Sequence, residues 1–456
     1  MFGIQNIKNN IIPAKNDTKV PQKKLVTKAK TGFKPQNLST ISSDNFKAYI
    51  PSFTRIGAKK PVQTGEVTIA QKYDTVKSKL DKQGQQLFAS LDSKGILMNQ
   101  NSNDNSTVLD NLYNIATKER IPGLKDTQII NEVLKALDNP FTITQKFGDI
   151  PNEVAQDIAK ETGSDFPNQA YNVVSSSCVV ASMEFNLASK YPAEFVRFAE
   201  GLSSSSYSVD KKVKISDIAD GTAECLWKLR EFNTDSYLEN NWENANIKIK
   251  PDRNAIIRAR VQSSYKDKGE RSCVDVLIQS ALLNLGSQNT YNALTDERTG
   301  KFNPDKTGLT DMEKNFVERV VFQSPKVSVV YQEIDETGKL SGYRATPAET
   351  KQQILNSLAL GQNVIIGYTH MDKEKNVNGG HEITIIGYEE DENKNGFFIC
   401  NDTDDDIDTS IKISEKKLLP LIHHAGISRE AFGKDDVYIE PWREIVEEFK
   451  NIRENK

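Results

Sequence analysis

At 456 residues, with 37% apolar and 27% charged side chains, the chain can bury a large core, and its net charge of −4 argues neither for nor against a polyanionic partner. No run approaches the ~18 apolar residues of a membrane span, and the opening segment lacks the apolar stretch of a secretory signal, so a soluble cytoplasmic protein is expected. The four cysteines, Cys178, Cys225, Cys273 and Cys400, form no CxxC pair, which argues for reduced thiols and against a zinc centre.

Residues 1–65 carry twelve Lys or Arg against two Asp and no Glu, in a background rich in Asn, Pro, Ser and Thr. Such a segment buries too little apolar surface to offset its ordering entropy. It is expected to be a disordered basic tail, read as a solvated leader, with contact to nucleic acid or an anionic membrane as the less favoured alternative. Over 66–91 apolar residues fall at helical spacing (Val67, Ile69, Tyr73, Val76, Leu80, Leu87), and further helices are predicted over 107–116 and 127–137, the last ended by Asn139-Pro140. Together these suggest a small α-helical subdomain over 66–150.

A second domain is expected over 151–445, before a charged tail at 446–456. A short helix over 153–161 leads through a polar loop to a helix that opens at Cys178 and stops before Pro192. Residues 255–264 alternate well enough to predict a strand, and 273–285 reads as an apolar helix ended by Gly286. After a loop over 296–311, Thr310 and Glu313 have capping-box spacing. Strands then follow over 326–334, 364–368, 383–389, 397–400 and 410–413, with a covering helix over 347–360. Helices first and an antiparallel sheet last give an α+β class.

The densest chemical signal lies in that sheet. Gly380-His381 leads into an apolar strand, and the next predicted strand ends Cys400-Asn401-Asp402. A histidine acts as a general base when a polar side chain fixes its tautomer, and a hairpin would bring His381 beside Asp402 or Asn401. Neighbouring residues of a strand point to opposite faces, so only one of the two can meet the ring. His381-Glu382 is not HExxH, because Ile385 stands where the second histidine belongs, and no Gly-x-Ser-x-Gly elbow exists. A thiol nucleophile is left. Cys178 follows three serines and opens a helix, where a thiolate gains from unpaired amides and the macrodipole. Cys273, after Arg271-Ser272, also opens a helix and is the rival; Cys225 and Cys400 read as core.

Ser176-Ser177-Cys178 at a helix start, Gly380-His381-Glu382-Ile383-Thr384-Ile385-Ile386-Gly387-Tyr388, and the strand running into Asn401-Asp402 together resemble the papain-like cysteine peptidase superfamily, in its bacterial branch. The resemblance covers about 165–440. It implies a helical part carrying the nucleophile packed on an antiparallel sheet carrying the histidine and its Asp or Asn. It further implies Cys178 as nucleophile, His381 as base, Asp402 as orienter and Asn172 as an oxyanion donor in the glutamine's usual place, acting on a polypeptide without metal or cofactor. The chain departs from the pattern at Val179, where an aromatic residue is usual, at Asn172, and in the 203-residue interval from Cys178 to His381. A catalytically inactive protein of the same fold, serving as an interaction module, is the alternative.

Other signals are read as structural. Asp391-x-Asn393-x-Asn395-Gly396 matches the start of a calcium loop, with Asp402 at the twelfth position, but strands flank it and Asn-Gly is a hairpin turn. The acidic run from Asp402 to Asp408 reads as a solvated loop, His370 as a half-exposed strand end, and His423-His424 as a helix terminus with the two rings pointing apart.

Overall fold

The computed structural model describes residues 67–146, 156–157, 160–161, 175–214, 244–264, 270–287, 289–299, 308–324, 326–405 and 407–433. The expectations for the basic tail over 1–65, the charged tail over 446–456, Asn172, Cys225 and most of the helix over 153–161 lie outside these residues. Within them the chain is mixed α and β, with the helices concentrated in the first part and antiparallel sheets in the last.

Four helices come first: α1 (Ile69–Ser78), α2 (Lys82–Ser93), α3 (Val108–Thr117) and α4 (Asp126–Asp138). The continuous pattern over 66–91 is broken between α1 and α2 because Asp81 caps the second helix, accepting a hydrogen bond from the amide of Gly84. Thr107 and Asp110 make a reciprocal capping box at the head of α3. Next come α5 (Cys178–Lys190) and α6 (Pro192–Ser203), separated by Tyr191; Pro192 takes the first position of α6, where its missing N–H costs nothing. A two-stranded ribbon, β1 (Val209–Lys214) with β2 (Asn244–Ile249), precedes α7 (Ala255–Ser264) and α8 (Cys273–Gly286).

Residues 255–264 thus form a helix and not the expected strand. Ala255, Ile257, Arg258, Ala259, Val261 and Gln262 are buried, so nearly every side of the segment meets protein, and its short alternating stretch fits either period until packing decides. Buried apolar side chains from each of α1 to α8 and from α9 (Asp311–Phe322) belong to one continuous core, so the helices on either side of residue 150 pack together.

The main sheet has six antiparallel strands in the order β11-β10-β9-β8-β12-β5: β5 (Lys326–Val330), β8 (Val364–Met371), β9 (Val377–Glu390), β10 (Gly396–Asn401), β11 (Ile411–Ser414) and β12 (Ile422–Ser428). The expected strand over 326–334 divides at Tyr331, and its second half, β6 (Gln332–Ile334), pairs with β7 (Leu340–Tyr343) instead. Two further two-residue strands, β3 (Tyr291–Asn292) and β4 (Glu297–Arg298), pair with each other. Ile365 of β8 points into the helical core, whereas Val364 and Ile366 join Ile383, Ile385 and Phe398 in a second core. Helix α10 (Pro347–Ala359) lies on that second core through Ile354. The short helices α11 (Glu415–Leu418) and α12 (Arg429–Phe432) close the described chain.

Two histidine expectations change. His423 and His424 lie in β12, not at a helix end, and their rings do not point apart: the two Nδ1 atoms are 2.8 Å apart. A register irregularity between Ile422 and His424 removes the strict alternation that would have separated them.

Candidate active site

Helix α5 packs against β9 and β8, and Cys178 is its first residue. Val179 to Ala188 are all buried, so the helix is fixed on every side while Cys178 itself remains partly exposed. The first amides of a helix lack intrahelical partners, and here Ser177, the residue before Cys178, makes no side-chain cap. Its hydroxyl donates to Gln279 Oε1 (3.1 Å).

His381 lies within β9, directly across from Tyr368 of β8. The strand starts six residues earlier than expected from the apolar pattern, because its first residues pair with the extended end of β8. The Tyr368 ring stands at 89° to the imidazole, with 5.7 Å between centroids, and holds it edge-on. Strand β10 ends at Asn401, and the next residue places its carboxylate on the ring: His381 Nε2 and Asp402 Oδ1 are 2.8 Å apart. The Asp404 amide donates to the same oxygen (3.0 Å). Cys178 lies close enough to the same imidazole to raise its pKa. With Nε2 committed to Asp402, Nδ1 is the nitrogen left for the thiol.

Electrostatics follow from these contacts. Burial alone would lower the His381 pKa, but the Asp402 hydrogen bond, the Cys178 side chain and the charges of both partners outweigh it, and the imidazole is pushed up to about 10. Burial acts upward on Asp402, yet the bond and charge of His381 hold its carboxyl below the usual range. The two partners shift in the directions of an imidazolium–carboxylate pair. Burial, with the charges of Asp402 and Cys178, raises Tyr368 to about 12, so its hydroxyl stays protonated at neutral pH.

Asn401 takes the other face. It pairs with Thr384 of β9 and is 2% exposed, away from the imidazole that Asp402 meets. Cys273 lies in the helical core, where its thiol donates to Glu132 (2.9 Å). Cys400 is buried among the strands, and burial followed by the charge of Asp402 pushes its thiol well up. His370 is exposed at the end of β8, its ring 5.2 Å from that of Tyr368. The Asp391–Asn395 loop is the hairpin between β9 and β10, and the Asp391 carboxylate accepts from the amides of Asn393 and Asn395, holding the turn. Among the described residues no group of three His, Cys, Asp or Glu is gathered as metal ligands.

Several groups around the site escaped the sequence reading. Tyr368 was legible in principle, since the register of two adjacent strands pairs it with His381. Arg271, Gln279 and Asp296, which hold the serines before Cys178, carry no local signal, because their partners are some 100 residues away in the chain. On the reverse of β9, Glu382 accepts from Lys314 Nζ (3.2 Å) and faces His424 Nε2 (2.8 Å). Burial opposes its ionisation, yet Lys314 and His424 hold the carboxyl down at about 2. Comparison of the chain with protein-family models, curated proteins and solved structures gave no match.

Proposed function

We propose that the protein is a thiol-dependent hydrolase of the papain-like kind, a cysteine peptidase or isopeptidase. One observation carries the reading: a single imidazole lies between a thiol at a helix N-terminus, which acts on its pKa, and a half-buried carboxylate 2.8 Å from its Nε2. Asp402 fixes the ring so that one nitrogen faces Cys178, the arrangement a nucleophile–base–orienter system requires. In the resting site His381 takes the Cys178 proton, and the imidazolium is stabilised by Asp402.

The sulfur then attacks the acyl carbon, and the carbonyl π electrons move to oxygen. That oxyanion meets the Cys178 amide at the open end of α5; Asn172 is the proposed second donor. Collapse breaks the carbon–nitrogen bond, and His381 delivers its proton to the departing amine. Water, deprotonated by His381, attacks the thioester, and the acid leaves as the proton returns to sulfur. The helical core supplies the nucleophile and the sheet supplies base and orienter, in keeping with the resemblance drawn from the motifs.

A fluorogenic peptide library tests this directly. The wild type is expected to cleave members of it, Cys178→Ala to cleave none, and Asp402→Asn to lose a factor of about 10³–10⁴, as when a triad carboxylate is neutralised. Cleavage that survives Cys178→Ala contradicts the proposal.

A further inference from the structure

Twelve α-helices lie among the described residues. Six of them are capped by a Thr, Asp or Ser side chain with ψ between 155° and 178°: Thr68, Asp81, Thr107, Ser272, Thr310 and Thr346. Ser177, before Cys178, is a serine as well, yet its ψ is 10° and its hydroxyl caps nothing. The ψ angle of residue 177 sets the plane of the 177–178 peptide, and therefore the direction of the Cys178 N–H.

The hydroxyl is held elsewhere. Arg271 is 2% exposed, and its guanidinium donates to the hydroxyls of both Ser175 and Ser177. Those two oxygens are 2.8 Å apart, and the Ser177 amide donates to Ser175 Oγ (3.0 Å). Arg271 is itself fixed, since its Nε donates to the Gln145 carbonyl (3.0 Å) and its backbone amide to that of Lys146 (3.1 Å). Asp296 lies 3.6 Å from the guanidinium and accepts the Ser176 amide (2.8 Å). Gln279, which takes the Ser177 proton, is anchored through its own amide to Glu184 and to the Thr144 carbonyl, both at 2.9 Å. The three serines are thus clamped by buried groups at a helix start that lacks a side-chain cap; of the other uncapped starts, Lys125 and Tyr191 have no short polar side chain to cap with, and Ser414 keeps an extended ψ of 134°.

We propose that Arg271 is a positioning residue for acyl transfer. By drawing the Ser177 hydroxyl away from α5, it holds the 177–178 peptide in the plane that presents the Cys178 N–H to the oxyanion. Without Arg271, Ser177 relaxes into the capped geometry that the chain adopts elsewhere, and the amide turns away. The proposal rests on the thiol-hydrolase reading and deepens it.

Two reactions of Cys178 separate positioning from general structural support. Alkylation by iodoacetamide needs the thiolate but forms no oxyanion, whereas acylation by p-nitrophenyl acetate passes through one. In Arg271→Ala, acylation is expected to fall about a hundredfold, the order of one lost oxyanion donor, with alkylation unchanged. Adding Ser177→Ala removes the hydroxyl that would cap, so the double variant is expected to regain most of the acylation rate. A fall in both reactions together, no fall in either, or no recovery in the double variant overturns the assignment. If thermal melting shows Arg271→Ala unfolded, Arg271→Lys replaces it: a lone ammonium lacks the guanidinium fork, so the same selective loss is expected, and equal loss of both rates overturns the idea. If Cys178 of the wild type reacts with neither reagent, the hydrolase reading itself fails and this proposal with it.

Discussion

His381 is pushed up to about 10 because Asp402 and Cys178 both favour its charged form strongly enough to overcome burial. The sign of the stability effect follows. A histidine with a folded pKa above its unfolded value of about 6.5 stabilises fully below that value, and the contribution is lost as pH rises through about 10. Asp402→Asn removes the first-named favourable partner and brings the folded value back towards the unfolded one. Urea unfolding at pH 6, 8 and 10 is therefore expected to show wild-type stability falling across this range more steeply than that of Asp402→Asn. Parallel pH profiles would contradict the assigned charge state.

Elements place these residues, and not all of that placement could be read from sequence. The capping box at Thr310, the helix starts at Cys178 and Cys273, and the covering helix α10 were visible because caps and apolar periods are local. Strand alternation likewise put Asp402 and Asn401 on opposite faces, but which of the two meets the ring was chosen from the family resemblance and not from alternation. The helix α7 was not visible, since its ten residues satisfy both periods and only burial on several sides distinguishes them. The clamp on Ser175–Ser177 was not visible either, because hydrogen bonds between distant segments leave no pattern in sequence. Close packing makes one element test direct. Gly367 of β8 faces the His424 ring, and a Cβ there would stand 2.2 Å from its Cε1. Moving that ring disturbs its contact with Glu382, which is buried with Lys314. Gly367→Ala is expected to cost about 1–3 kcal/mol as an overpacking substitution. An unchanged unfolding midpoint in denaturant would show that the ring moves freely.

At the scale of the whole molecule, the candidate site is a product of two cores. The helical core brings Cys178, and the sheet, with its second core beneath α10, brings His381 and Asp402. Folding also separates the thiols by environment, leaving Cys178 partly exposed while Cys273 and Cys400 are buried. The most direct test of the central claim is the rate of iodoacetamide labelling at each cysteine at neutral pH, mapped by mass spectrometry in the wild type and in His381→Ala. Rapid modification of Cys178 is predicted in the native protein, slowed about tenfold or more without the imidazole that stabilises its thiolate. Cys273 and Cys400 are predicted to react only on unfolding. Slow labelling of Cys178, or a rate indifferent to His381, would contradict the account.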